Sequence, residues 1–230
     1  MTIPRNLSFL AEGASSTGVL GTANGGTGLN TLGTAGQALV VNSGATGLTY
    51  STPSAGAITL ISTQTASSSA SLQWTGLSGY DKYIIVFENV IPATNNVILY
   101  LQFGTGSTPT YITSNYQNLS VYGYASGSTA QTSTNQNSSQ IYVTNVNGVN
   151  NTGYGVCGFM NIEGFISTTN YTSTTNNLVW GGTVASALTD FVQSGGAYLG
   201  ATSTAKTAIK IYFSSGNITS GTASLYGISS

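Results

Sequence analysis

Side chains able to do chemistry are scarce in this sequence, and one kind is missing altogether. Histidine is absent from the 230 residues, which removes Ser-His-Asp and Cys-His catalysis and every zinc site that depends on imidazole. The single cysteine, Cys157, has no partner for an internal disulfide. It lies in the apolar run "YGVCGFMNI", where a buried, inert thiol is expected. The carboxylates beyond the N-terminal region are Asp81, Glu88, Glu163 and Asp190. A pair of them could cleave a glycosidic bond, but Asp81 and Lys82 begin a strand after a Gly-Tyr turn. Glu88 and Glu163 fall near strand ends, where a partly exposed charge is ordinary. Their scatter also lacks the spacing of a calcium loop. No catalytic, metal-binding or cofactor-binding residue is assigned, and the chain is read as a non-enzyme that needs no cofactor.

The stretch "NGGTGLNTLG", Asn24 to Gly33, has the look of a phosphate-cradling loop. A dinucleotide fingerprint needs a third glycine where this chain has Thr31, and a strand before it; neither is present. Charged residues make up only 4% of the chain, against roughly 25% in an ordinary soluble domain. With a net charge of −1 there is no basic stripe to displace counterions from a phosphate backbone, so no nucleic acid is expected. No segment approaches the roughly 20 apolar residues of a membrane helix, so no membrane insertion is expected. A surface so poor in charge must be wetted by hydroxyls and amides or be covered by partner chains.

Tyrosine supplies the positive signal, with 14 copies. Tyr111, Tyr116, Tyr122 and Tyr124 cluster in "TPTYITSNYQNLSVYGYASGSTAQTSTNQNSSQ", read as a short strand set within long polar loops. Aromatic faces flanked by amides suit sugar recognition, and loops on a rigid scaffold are its usual place. These four are the candidate receptor contacts, with a host-surface glycan as the ligand. The alternative keeps them half-buried in strands or against partner chains. Trp74 and Trp180 stand in alternating strand contexts and are read as core. Six Asn-x-Ser/Thr triplets, from Asn6 to Asn217, are expected by chance in so polar a chain and carry no assignment.

Two regions must position these residues. Residues 1–56 are rich in Gly, Thr, Ser and Ala, have no helical period, and keep one clear strand, "QALVVN". They cannot bury a core of their own and are read as an extended anchor and stalk ordered by neighbouring chains. Pro53 in "YSTPSAG" marks the hinge. Residues 57–230 alternate short β-branched and aromatic runs with Gly/Ser/Asn turns. In "AIKIYF", Ile209, Ile211 and Phe213 share one face, and Lys210 and Tyr212 the other. "YIIVFENV" is apolar on both faces and is expected inside its sheet. About ten strands without a convincing helix imply an all-β, jelly-roll-like β-sandwich head behind the extended arm.

Two stretches carry a likeness. "TIPRNLSFLAEGASSTGVLG" with "ANGGTGLNTLGTAGQALVVNSGATGLTY" resembles the glycine-rich N-terminal regions of tailed-bacteriophage virion proteins, tail-fibre-like and capsid-decorating. From "ITLISTQTASSSASLQWTGL" to "AIKIYFSSGNITSGTASLYGI" the chain is similar to β-sandwich heads of the same proteins. The resemblance implies a homotrimer, virion localisation, assembly in the host cytoplasm and release by lysis, in keeping with an N-terminus that has no signal-peptide run. It implies a capsid, portal, tail or baseplate protein as the second partner. Ile3, Leu7, Phe9 and Leu10 are then the virion anchor, and Leu20, Leu29 and Leu32 the stalk contacts. Typical fibres of this kind are much longer than this chain. A capsid cement protein without a receptor, or a free bacterial carbohydrate-binding adhesin, are the alternative readings.

Overall fold

Fifteen strands carry the fold in the computed structural model, which describes residues 18–22, 26–53, 57–124, 131–144, 148–152, 154–168, 171–181, 190–200 and 205–229, without the side chains of 124 and 190–194. The chain divides into two units, Met1–Ala55 and Gly56–Ser230. The expected anchor residues Ile3, Leu7, Phe9 and Leu10 lie outside the described residues.

In the first unit the glycine-rich stretch folds back on itself. The N–H groups of Gly26 and Gly28 donate to the carbonyls of Gly21 and Leu20, at 3.1 and 3.0 Å. A Cβ on Gly26 would sit 2.1 Å from the Leu20 oxygen, so only glycine fits that approach. Strand β1 (Ala38–Val41) then pairs antiparallel with β2 (Leu48–Ser51). Asn42 builds the turn: its N–H donates to Gly47 and its Oδ1 accepts from the Thr46 N–H. The "QALVVN" strand is present, and its partner "LTYS", which the sequence reading passed over, makes it a hairpin. Of the expected stalk leucines, Leu20 and Leu29 are half-buried, while Leu32 is 92% exposed.

The second unit is all-β among the described residues. One sheet has eight strands, in the order β3 (Ile58–Thr65), β15 (Ile218–Ile228), β5 (Lys82–Pro92), β11 (Val156–Glu163), β12 (Thr172–Trp180), β13 (Asp190–Tyr198), β8 (Tyr116–Tyr124), β9 (Gln131–Ser138). The other runs β10 (Ile141–Tyr142), β6 (Leu99–Thr105), β14 (Lys206–Phe213), β4 (Leu72–Trp74), with β7 (Thr110–Tyr111) also on β6. All their pairings are antiparallel. Alternation explains the two layers. Ile85, Phe87, Met160, Ile162 and Leu225 of the large sheet, and Leu99, Leu101, Phe103, Ile209 and Ile211 of the small one, are buried in one common core. Trp74 and Trp180 belong to it, as expected, and "YIIVFENV" lies inside the sheet, flanked by β15 and β11.

Three strands differ from the sequence reading. "QTSTNQNS" is strand β9, not loop, because the β8 ladder satisfies its backbone; as the edge of the large sheet it remains polar. β12 and β13 start further back than their apolar runs, extending through Thr172–Asn177 and Asp190–Ser194. Their mutual register supplies the hydrogen bonds that propensity does not.

Inward amides tie the layers together. Asn118 of β8 donates through Nδ2 to the Gln140 carbonyl at 3.1 Å, and its Oδ1 accepts the Tyr142 N–H at 2.8 Å. Asn176 of β12 donates to the Val143 carbonyl at 3.0 Å. The large sheet thus supplies partners to the free edge of β10, whose backbone would otherwise be buried unpaired.

Candidate functional site

The receptor-contact tyrosines do not form one loop surface. Tyr116 is fully buried, its hydroxyl accepting the Phe103 N–H at 2.9 Å and its ring set between Phe103 and Tyr198. Tyr122 is 6% exposed and donates to Gln131 Oε1. Both alternate inward along β8, so they are core residues and correct the expectation. Tyr124 ends the same strand, with its side chain outside the description. Of the three described side chains Tyr111 reaches a surface, and it does so beside tyrosines not selected from the sequence.

That surface is the outward face of the small sheet. Cross-strand register sets Tyr142, Tyr100 and Tyr212 in one row, on β10, β6 and β14. Their rings lie close, with centroids 5.0 Å apart for Tyr100–Tyr142 and 5.7 Å for Tyr100–Tyr212. The next row is Gln102, Lys210 and Gln73, on β6, β14 and β4. Tyr111 of β7 stands opposite Gly104, which leaves room for its ring: a Cβ there would lie 3.2 Å from that ring. The Tyr111 hydroxyl donates to Gln73 Oε1 at 2.6 Å. Lys210 is held between two rings, its Nζ 4.1 Å from the Tyr111 centroid and 4.8 Å from that of Tyr212. Each such contact is worth about 0.5–2 kcal/mol.

The support beneath is stiff. Gln102 donates to the Ser139 carbonyl at 2.9 Å, and Asn118 fixes the backbone of Tyr142 from the opposite sheet. Burial pushes the Tyr100 phenol up to about 12, with the neighbouring Tyr142 and Tyr212 adding to it. Burial likewise raises Tyr111 and Tyr212 and lowers Lys210 from its ordinary value. Tyr100, Tyr111 and Tyr212 therefore keep their phenol protons at neutral pH. The signal was in the sequence, since "LYLQF" and "AIKIYF" each put a tyrosine beside a polar residue on one face. Which strands stand next to each other was not.

A hollow lies across strands β9, β8 and β13 of the large sheet. It has a volume of about 400 Å³ and is lined by Gln117, Leu119, Thr134, Asn135, Gln136 and the side-chain-free Gly195. Here the polar segment expected to recognise sugar does contribute, as strand β9.

Glu88 and Glu163 are placed apart, while Asp81 precedes Lys82, the ion-pair partner of Glu163. Glu88 stands in β5 next to the register position of Cys157, and Glu163 six residues further along β11, about 20 Å away at strand rise. A glycosidase pair needs about 5–9.5 Å. Glu88 accepts from the Thr222 hydroxyl, Glu163 pairs with Lys82 at 3.7 Å, and Asp81 accepts the Ile166 N–H; the Asp190 side chain lies outside the description. Cys157 is half-buried rather than buried, because it faces outward from β11, its sulfur accepting the Asn89 N–H. Among the described residues no three metal-ligating side chains gather, and no helix is long and apolar enough to cross a membrane. No protein-family model, curated protein or solved structure matches the chain.

Proposed function

We propose that the chain is a virion appendage of a tailed bacteriophage, a homotrimeric short fibre or decoration protein held to the particle through its glycine-rich N-terminal region, whose jelly-roll-like head binds saccharide on the host surface. The observation that carries the reading is the tyrosine platform. Phenol faces take up the apolar C–H face of a pyranose, while the exposed Gln73 lies where sugar hydroxyls need a partner. Such recognition asks for rigid side chains and none of the acid–base groups that the composition lacks.

Other features support the assembly. Leu119, Val121 and Phe159 are 53%, 43% and 40% exposed on the outward face of the large sheet, apolar side chains of the kind that partner chains cover. In the first unit Leu32 and Val41 remain 92% and 62% exposed. Many copies on one particle convert weak single-site binding into avidity.

Two measurements test the reading. Immunogold labelling of phage particles is expected to place the chain on the virion, and purified chain is expected to adsorb to bacterial cells. The Tyr100→Ala/Tyr212→Ala variant should keep its melting temperature within a few degrees and lose adsorption. Absence from particles sinks the virion role, and undiminished adsorption by a folded variant sinks the platform.

A further inference from the structure

Lys210 is the one charged side chain in a face otherwise built of tyrosine and glutamine. The two other described lysines of comparable setting are already engaged. Lys82 pairs with Glu163, and Lys206 is buried with its Nζ donating to the Ser167 carbonyl at 2.9 Å. Among the described residues no carboxylate lies within ion-pairing distance of Lys210, and the ammonium meets ring faces instead. Rings steady a cation but accept no directed hydrogen bond as an oxygen does, so its N–H donors point to solvent or to a ligand.

We propose that the platform selects an acidic saccharide, with the sugar ring on Tyr100 and Tyr212 and its carboxylate or phosphate group on Lys210. This rests on the saccharide reading above and adds the ligand's charge. Partial burial makes an uncompensated ammonium costly, and an arriving anion offsets that cost. The same half-buried setting screens the pair less than open water does, so one charge-assisted contact carries selectivity. A neutral sugar keeps its ring contacts and gains nothing from the lysine. The next row supports the geometry: the exposed Gln73 stands beside Lys210 in register, so a hydroxyl beside the acidic group finds an amide partner.

The test is calorimetric binding of the full chain to four probes: an oligogalacturonate, its methyl ester, a phosphorylated mannan and an unphosphorylated mannan. Oligogalacturonate, phosphomannan or both should bind at least about ten-fold more tightly than the neutral counterpart, the scale of one charge-assisted hydrogen bond. Which of them binds separates carboxylate from phosphate. Lys210→Met, which keeps the apolar stem, should erase that difference and leave neutral binding within about two-fold; Lys210→Arg should restore most of it. Raising salt should weaken the acidic probe alone. Equal binding of acidic and neutral probes, or an unchanged preference in a folded Lys210→Met, overturns the charge selection and leaves the platform standing. Failure of all four probes, with the wild-type chain folded, overturns the saccharide reading and the selection together.

Discussion

Two buried tyrosines show how differently one side chain behaves when its hydroxyl has a partner and when it has none. Tyr116 accepts the Phe103 N–H, whereas Tyr83, 1% exposed between Tyr80 and Phe165, has no hydrogen-bond partner for its hydroxyl among the described residues. Losing one member of a buried pair costs about 1–3 kcal/mol, while removing an unpartnered polar atom is neutral or favourable. Tyr116→Phe is therefore expected to lower the midpoint of denaturant unfolding, and Tyr83→Phe to hold or raise it; the reverse order contradicts the assignment. Tyr83 and the platform's Tyr100 also bear on alkaline stability. Burial, helped by Tyr80 and Asp81, pushes Tyr83 up to about 12, and Tyr100 stands at about 12 as well. A tyrosine whose folded value is raised keeps its proton longer than the unfolded chain does. Its stabilisation is complete below pH 10 and is lost as pH climbs towards 12. Equilibrium unfolding should weaken across that window, and Tyr83→Phe should make the loss shallower. Phenolate absorbance that rises in one step near pH 10, in folded protein, would refute this.

At the scale of elements, the centre of the large sheet is bent by three residues with positive φ. Asn89 lies at 51°, Gly158 at 127° and Gly221 at 106°, where the registers of β5, β11 and β15 shift. Asn89 supports the bulge through its Oδ1, which accepts the Gly155 N–H at 2.9 Å. A Cβ on Gly158 would come 2.2 Å from the Asn177 oxygen. Gly158→Ala is expected to cost at least about 1–3 kcal/mol from backbone conformation alone. Gly123→Ala, where nothing lies within 4 Å among the described residues, should be close to neutral. Thermal melts of the pair decide the matter, and equal stability of the two variants contradicts the bulge assignment. The inward amides belong to this scale too, because Asn118 holds an edge strand and, through it, one ring of the platform.

For the whole molecule the issue is what covers a surface with so little charge. The outward face of the large sheet carries exposed apolar residues on three of its strands, Phe159 on β11 and Val179 on the neighbouring β12, with Leu119 and Val121 on β8 beyond β13. Sedimentation equilibrium is expected to give a trimer, and Phe159→Asp with Val121→Asp to shift it towards monomer with the secondary structure retained. A monomeric wild-type chain at micromolar concentration sinks the trimer. Removing residues 1–20 should abolish incorporation into particles without changing the oligomeric state; retained incorporation refutes the anchor.

Much of this was legible in the residues themselves. Alternation in "AIKIYF", two-sided apolarity in "YIIVFENV" and the Gly/Ser/Asn turns declare strands, because burying one face of a pleat demands period two. Absent histidine and scarce charge set limits on chemistry without any coordinates. Strand β9 was not legible, because "QTSTNQNS" owes its conformation to the β8 ladder and not to its own propensity. Nor was the platform. Tyr100, Tyr142 and Tyr212 are separated by dozens of residues and meet only through the register of β10, β6 and β14. Alternation along β8 turned Tyr116 and Tyr122, expected as receptor contacts, into the core. Local sequence sets which residues share a face of one strand, while only tertiary pairing decides which strands lie side by side, since that choice is made by long-range hydrogen bonds and burial.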